Sequence, residues 1–72
     1  MPNRDIALKF GRALKERRNR CGLTQERLAE LADLSVEHIQ RLEGKSPSGV
    51  RLETIVKLAK AFKSTPSKLL DF

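Results

Sequence analysis

LAELADLSVEHIQRLEGK, residues Leu28 to Lys45, holds two runs of helical hydrophobic spacing with almost no connector between them. Leu28, Ala29 and Ala32 mark the inner face of the first run, and Ile39 and Leu42, three residues apart, mark that of the second. Asp33-Leu34-Ser35 must therefore close one helix, turn the chain and open the next. Asp33 can close it, because aspartate tolerates the left-handed backbone conformation better than most residues. Ser35 is the next cap, its hydroxyl placed to accept a free N–H of the following turn. So short a connection makes the helices meet at a steep angle, and Ala29 suits that corner because a larger side chain would push them apart. A capped helix, a tight turn and a second capped helix form a helix-turn-helix over about residues 24–43.

Outward from this unit the pattern stays helical. Upstream, Phe10, Leu14, the stem of Arg17 and Cys21 recur at three and four residues, which predicts a helix from about Asp5 to Arg20. Gly22 ends it, and Thr24 caps the next. Downstream, Gly44 stops the third helix and GKSPSGV is loop by composition. Leu52, Ile55, Val56, Ala59 and Phe62 predict a fourth amphipathic helix with Lys57, Lys60 and Lys63 on its outer face. Thr65-Pro66 opens a short fifth helix that includes Leu69 and Leu70. No β pattern or internal repeat interrupts the series, so residues 1–72 are read as one all-α domain of five helices.

Fifteen Lys and Arg against nine Asp and Glu give a net charge of +6 and a pI near 10.1, a strong positive field for so small a body. Polyanions are the expected partners, the plainer reading being that the charge keeps a small helical protein in solution. One cysteine excludes an internal disulfide, and one histidine beside it provides no zinc-ligand set. No apolar run approaches the roughly 18 residues that span a bilayer, and MPNRDIALKF lacks a signal-peptide core, so a cytosolic protein is expected. No nucleophile sits beside a base in a recognisable setting, and no glycine-rich phosphate loop is present. The expectation is a protein that is not an enzyme and uses no cofactor, metal or small-molecule ligand.

LTQERLA, SVEHIQRLEGK, LETIVKLAKAF and PSKLL follow one another in the order and nearly at the spacing of a known family. The chain resembles, over about residues 10–70, the Cro and phage-repressor type (xenobiotic-response-element type) of bacterial and phage regulators. The resemblance implies a compact five-helix lambda-repressor-like domain whose third helix reads bases in the major groove while the start of the second grips phosphate. It matches Gln25 to a phosphate-bonding glutamine and Ser35 to a capping, phosphate-contacting residue, both at helix N-termini that favour anions. It places Val36, Glu37 and Arg41 on base-contacting positions, His38 and Gln40 on neighbouring ones, and Arg18 and Glu43 on a buried ion pair joining the first and third helices. The chain departs from the family pattern at Asp33, where glycine is usual, at Arg17, where leucine is usual, and at Lys63-Ser64, where glycine and an apolar residue are usual. Val36 and Glu37 stand where polar or basic residues are common, and the loop from Gly44 to Arg51 differs in length and composition.

Each assignment stands beside a plainer one. Arg41 can bond guanine O6 and N7 together or hold a phosphate. Val36 can meet a thymine methyl or cover the rim of the core. Glu37 can accept from cytosine N4 or simply favour the first helical turn. His38 is either a contact or a solvated residue, Cys21 an ordinary helix-end residue, and Lys45, Ser46, Ser48 and Arg51 either backbone contacts or a solvated loop. The function read from all this is sequence-specific operator binding by a small transcriptional regulator: a repressor, a restriction-modification controller or an antitoxin. The alternative is a protein-bridging module that uses the same fold without base readout; a basic third helix with an exposed Arg41 would favour DNA, and an apolar patch on that face would favour the protein module. A homodimer is expected because one recognition helix reads too few base pairs, with Leu69, Leu70 and Phe72 offered as the joining surface. The setting expected is a bacterial or phage-infected cytoplasm, at the nucleoid.

Overall fold

The two central helices form where the sequence places them, and their ends show why. The structure, a computed structural model, describes residues 3–44 and 50–72. These form α1 (Asn3–Arg20), α2 (Gln25–Ala32), α3 (Val36–Glu43), α4 (Leu52–Ala61) and α5 (Pro66–Leu69), with no strand among the described residues. Thr24 caps α2, its hydroxyl accepting from the Arg27 N–H at 3.0 Å, and Ser35 caps α3 in the same way from His38 at 3.1 Å. Between them Asp33 adopts φ 56° and ψ 47°. That left-handed residue turns the chain so that the Leu34 N–H reaches back to the Ala29 carbonyl at 2.9 Å, satisfying a carbonyl that the helix end would otherwise leave free. Gly22, at φ 69°, closes α1 by the same device, with the Leu23 N–H on the Arg18 carbonyl at 3.0 Å.

Leu14, Leu28, Ile39 and Leu58 are the largest fully buried side chains, one from each of the first four helices, and Phe10, Ala29, Ala32, Leu42, Ala59 and Leu69 complete the centre around them. Each large aliphatic side chain so buried contributes about 1.5–3 kcal/mol. The contact of α1 with α3 rests on a glycine: a Cβ at Gly11 would lie 2.1 Å from the Leu42 carbonyl oxygen. Only a residue without a side chain lets the first helix lie so near the backbone of the third.

Several sequence readings shift in detail. α1 begins at Asn3 rather than Asp5, and Cys21 is exposed instead of extending the apolar stripe, because the helix has ended one residue earlier. Ala7 takes the place of that missing end, buried one turn before Phe10. In α4 the inner face is centred on Ile55, Leu58 and Ala59 with Thr54, so Leu52 is 73% exposed and Val56 36% exposed, against their reading as inner-face residues. Apolar residues at 52, 55, 56, 58, 59 and 62 cover nearly half the helix circumference, and spacing alone does not choose which edge of so wide a stripe is covered. Leu70 caps α5 from outside it and is exposed, while Leu69 is buried.

Candidate nucleic-acid interface

α3 carries Ile39 and Leu42 inward, and the helical period then leaves Glu37, Gln40 and Arg41 exposed on its far side. Ser35 is exposed at the head of the helix, His38 is half-buried, and Val36 is half-buried and packs against the core. Val36 thus serves the rim of the core and shows only part of its side chain outward. No residue of α3 is among the exposed large hydrophobic residues, so the apolar patch that would mark a protein-docking face is lacking there among the described residues.

α3 itself is not basic, since it carries Arg41 against Glu37 and Glu43. The positive charge beside it comes from α4. A polar groove between the two helices is lined by Leu34, His38, Arg41, Arg51, Glu53, Thr54 and Lys57, so Arg41 and Arg51 share one groove. It also brings in Lys57, which spacing had placed on an unrelated outer face. Among the described residues, none of Arg41, Arg51 and Lys57 is paired with a carboxylate. Lys57 reaches this groove only through the meeting of α4 with α3, which local spacing does not record. Lys45 and Ser46, also read as backbone contacts, lie outside the described residues.

At the other end of the interface the polar groups are fixed. Arg18 forms a two-pronged pair with Glu43, Nε to Oε2 at 2.8 Å and Nη2 to Oε1 at 3.0 Å. The side chains are 9% and 3% exposed. The third donor used, Nη1, goes to the Leu23 carbonyl at 2.8 Å. Hydrogen bonding to Glu43 raises the Arg18 pKa above the ordinary arginine value, burial pulling the other way, so the guanidinium keeps its charge throughout the working pH range. The ion pair expected between the first and third helices is therefore formed. Gln25, half-buried at the first position of α2, joins it: its Nε2 donates to Glu43 Oε1 at 3.2 Å. Sequence reasoning placed Gln25 and Glu43 in separate roles and missed this bond, because residues eighteen apart meet only through the turn at Asp33.

A capped pair of helices at a left-handed turn, with the second presenting a polar face, defines a DNA-binding helix-turn-helix. The helix-turn-helix family profile matches residues 14–69, most of the chain, which belongs to this family in its Cro/C1-type form and is a DNA-binding transcriptional regulator. Among solved structures, the chain is similar to the restriction-modification controller protein C.AhdI from Aeromonas hydrophila, with 38% identity and a TM-score of 0.81 over 88% of this chain and 94% of that one. No curated protein shows significant similarity to it. The family and the solved neighbour are regulators of this kind and not enzymes. Among the described residues no helix is long and apolar enough to cross a membrane.

Proposed function

We propose that the chain is a controller-type transcriptional regulator that binds a pseudo-palindromic operator as a homodimer, in the cytoplasm of a bacterial or phage-infected cell. The exposed polar face of α3 carries this reading, and 38% identity across 94% of a restriction-modification controller gives it its direction. Arg41 bonds a guanine edge, Glu37 and Gln40 flank it, and the outward part of Val36 meets a thymine methyl. Gln25 and Ser35 hold one phosphate at paired helix N-termini, while Arg51, with Lys45 and Ser46 of the adjoining loop, holds another along with His38.

The dimer reading rests on an apolar groove lined by Ile6, Ala7, Phe10, Val50, Ile55, Leu70 and Phe72. Ile6, Leu70 and Phe72 are 57%, 45% and 50% exposed, more apolar surface than so small a chain leaves in water without a use. Leu69 drops out of the proposed joining surface because it is buried, and Ile6 enters it. A second copy seated on this groove sets two α3 helices on one side of the duplex, with half-sites roughly 10 base pairs apart.

Binding sites selected from random DNA, then used with Arg41→Ala, test the reading. The substitution should cost about 1–3 kcal/mol at the selected site and almost nothing on random DNA. Equal losses on both would remove base reading from Arg41, and failure to select any site would favour a protein-bridging role. Sedimentation at several concentrations tests the dimer, which Leu70→Asp with Phe72→Asp should weaken. A complex of one chain on a non-symmetric site would refute it.

A further inference from the structure

We infer that Glu43, besides neutralising Arg18, is the positioning residue that aims Gln25 at the DNA backbone; this rests on the proposed phosphate contact of Gln25. The side chain of Glu43 is 3% exposed, and its Oε1 accepts two hydrogen bonds, from Arg18 Nη2 at 3.0 Å and from Gln25 Nε2 at 3.2 Å. An amide nitrogen has two N–H bonds that diverge, and the carbonyl oxygen of the same group points away from whatever the nitrogen approaches. With one N–H held by Glu43, the orientation of the amide is decided: it keeps one donor for an outside acceptor, and it cannot flip its oxygen into that place. An oxygen turned outward there would repel a phosphate.

The location of Gln25 gives that remaining donor its use. Gln25 is the first residue of α2, and the Thr24 hydroxyl occupies the Arg27 N–H, leaving the backbone N–H groups of Gln25 and Glu26 without intrahelical partners. The free amide N–H thus belongs to the first residue of a helix end that favours anions. A carboxylate close to a phosphate would by itself be unfavourable. Arg18 removes that objection, since its guanidinium covers both Glu43 oxygens and its charge cancels theirs. The α1–α3 ion pair thus doubles as an electrically neutral bracket for a donor on α2, and a long side chain that would otherwise be ordered only on binding is already ordered in the free protein.

Two double variants separate this role from a structural one. Arg18→Met with Glu43→Leu removes the pair without leaving a buried charge and takes the acceptor away from Gln25. Arg18→Met with Glu43→Gln removes the same charges but keeps a carbonyl oxygen for Gln25 to donate to. Both are measured below their unfolding temperatures, with the folded fraction checked, on a random-sequence duplex and on a selected site. The Leu variant should bind about three- to ten-fold more weakly on both DNAs, the worth of ordering one side chain, with an unchanged dependence on salt because no phosphate-facing cation is lost. The Gln variant should recover most of that loss. Gln25→Ala should weaken wild type similarly and have almost no further effect in the Leu variant. If Gln25→Ala weakens wild type but the Leu variant binds as wild type does, or loses affinity additively with Gln25→Ala, the positioning role is overturned and the phosphate contact stands. Failure of Gln25→Ala to weaken wild type overturns both.

Discussion

The α1–α3 half of the molecule and the α4–α5 half are built on different terms. In the first, contacts are specific: a glycine where backbone meets backbone, an ion pair with its donors assigned, two side-chain caps, and an aspartate in the left-handed turn. In the second, Thr65 caps α5 but α4 starts at Arg51 without a side-chain cap, and a lysine holds the left-handed position at its end. Apolar burial by Leu58, Ala59 and Leu69 carries that half. The contrast teaches where accuracy is needed. The half that carries α3 fixes its angle through polar and steric matches, whereas the other half depends chiefly on apolar burial.

The largest expected effect breaks the first half at its ion pair. Glu43→Ala leaves the Arg18 guanidinium buried without its carboxylate, and loss of one partner from such a pair costs about 3–5 kcal/mol. Arg18→Ala should cost a similar amount, while the double variant loses far less than the sum. Urea unfolding of the four proteins measures the cycle. Additive losses would mean that the two side chains do not depend on each other, and the contrast between the halves would lose its chief support. The exposed pair of Arg27 with Glu30 is the control, since removing it should cost less than about 1 kcal/mol.

Gly11→Ala should come next. The added methyl would stand 2.1 Å from the Leu42 carbonyl oxygen, so α1 must move away from α3, at a cost of about 1–3 kcal/mol or more despite alanine's better helix propensity. Thermal unfolding checks the stability. A stabilised protein would show that the approach of α1 to α3 is not limited by this contact. Because α3 then loses part of its support from α1, the variant should also bind a selected DNA site less well at a temperature where it is fully folded.

Much of this could be read from the sequence wherever a residue's own chemistry fixes its local role. Thr24, Asp33 and Ser35 are legible because capping and left-handed turns are decided within three residues of the side chain concerned. The inner faces of α2 and α3 are legible because each has a narrow apolar stripe. The face of α4 was misread at Leu52 and Val56, since its broad stripe leaves the choice to partners elsewhere in the chain. Gly11, Lys57 and the bond from Gln25 to Glu43 were missed for one shared reason: each gains its role from a helix remote in sequence, and no local pattern records that meeting. The Arg18–Glu43 pair has the same long-range character, and was expected only through the family resemblance.

The smallest effect sharpens the comparison at the two left-handed residues. Asp33 and Lys63 end α2 and α4 with nearly the same backbone, φ 56° and φ 54°, and with matching bonds, Leu34 N–H to Ala29 at 2.9 Å and Ser64 N–H to Ala59 at 2.8 Å. A side chain other than glycine, asparagine or aspartate costs about 1–2 kcal/mol in that conformation. Glycine removes the cost but enlarges the freedom of the unfolded chain, which offsets about 0.4–1 kcal/mol. Lys63→Gly should therefore stabilise by about 0.5–1 kcal/mol, the difference between the two. Asp33→Gly should change stability little, because aspartate already tolerates the turn and the two terms nearly cancel. Paired thermal unfolding of both variants measures the difference. Equal gains would show that the aspartate corner is as strained as the lysine one, and that the recognition half is no better matched to its backbone than the half beside it.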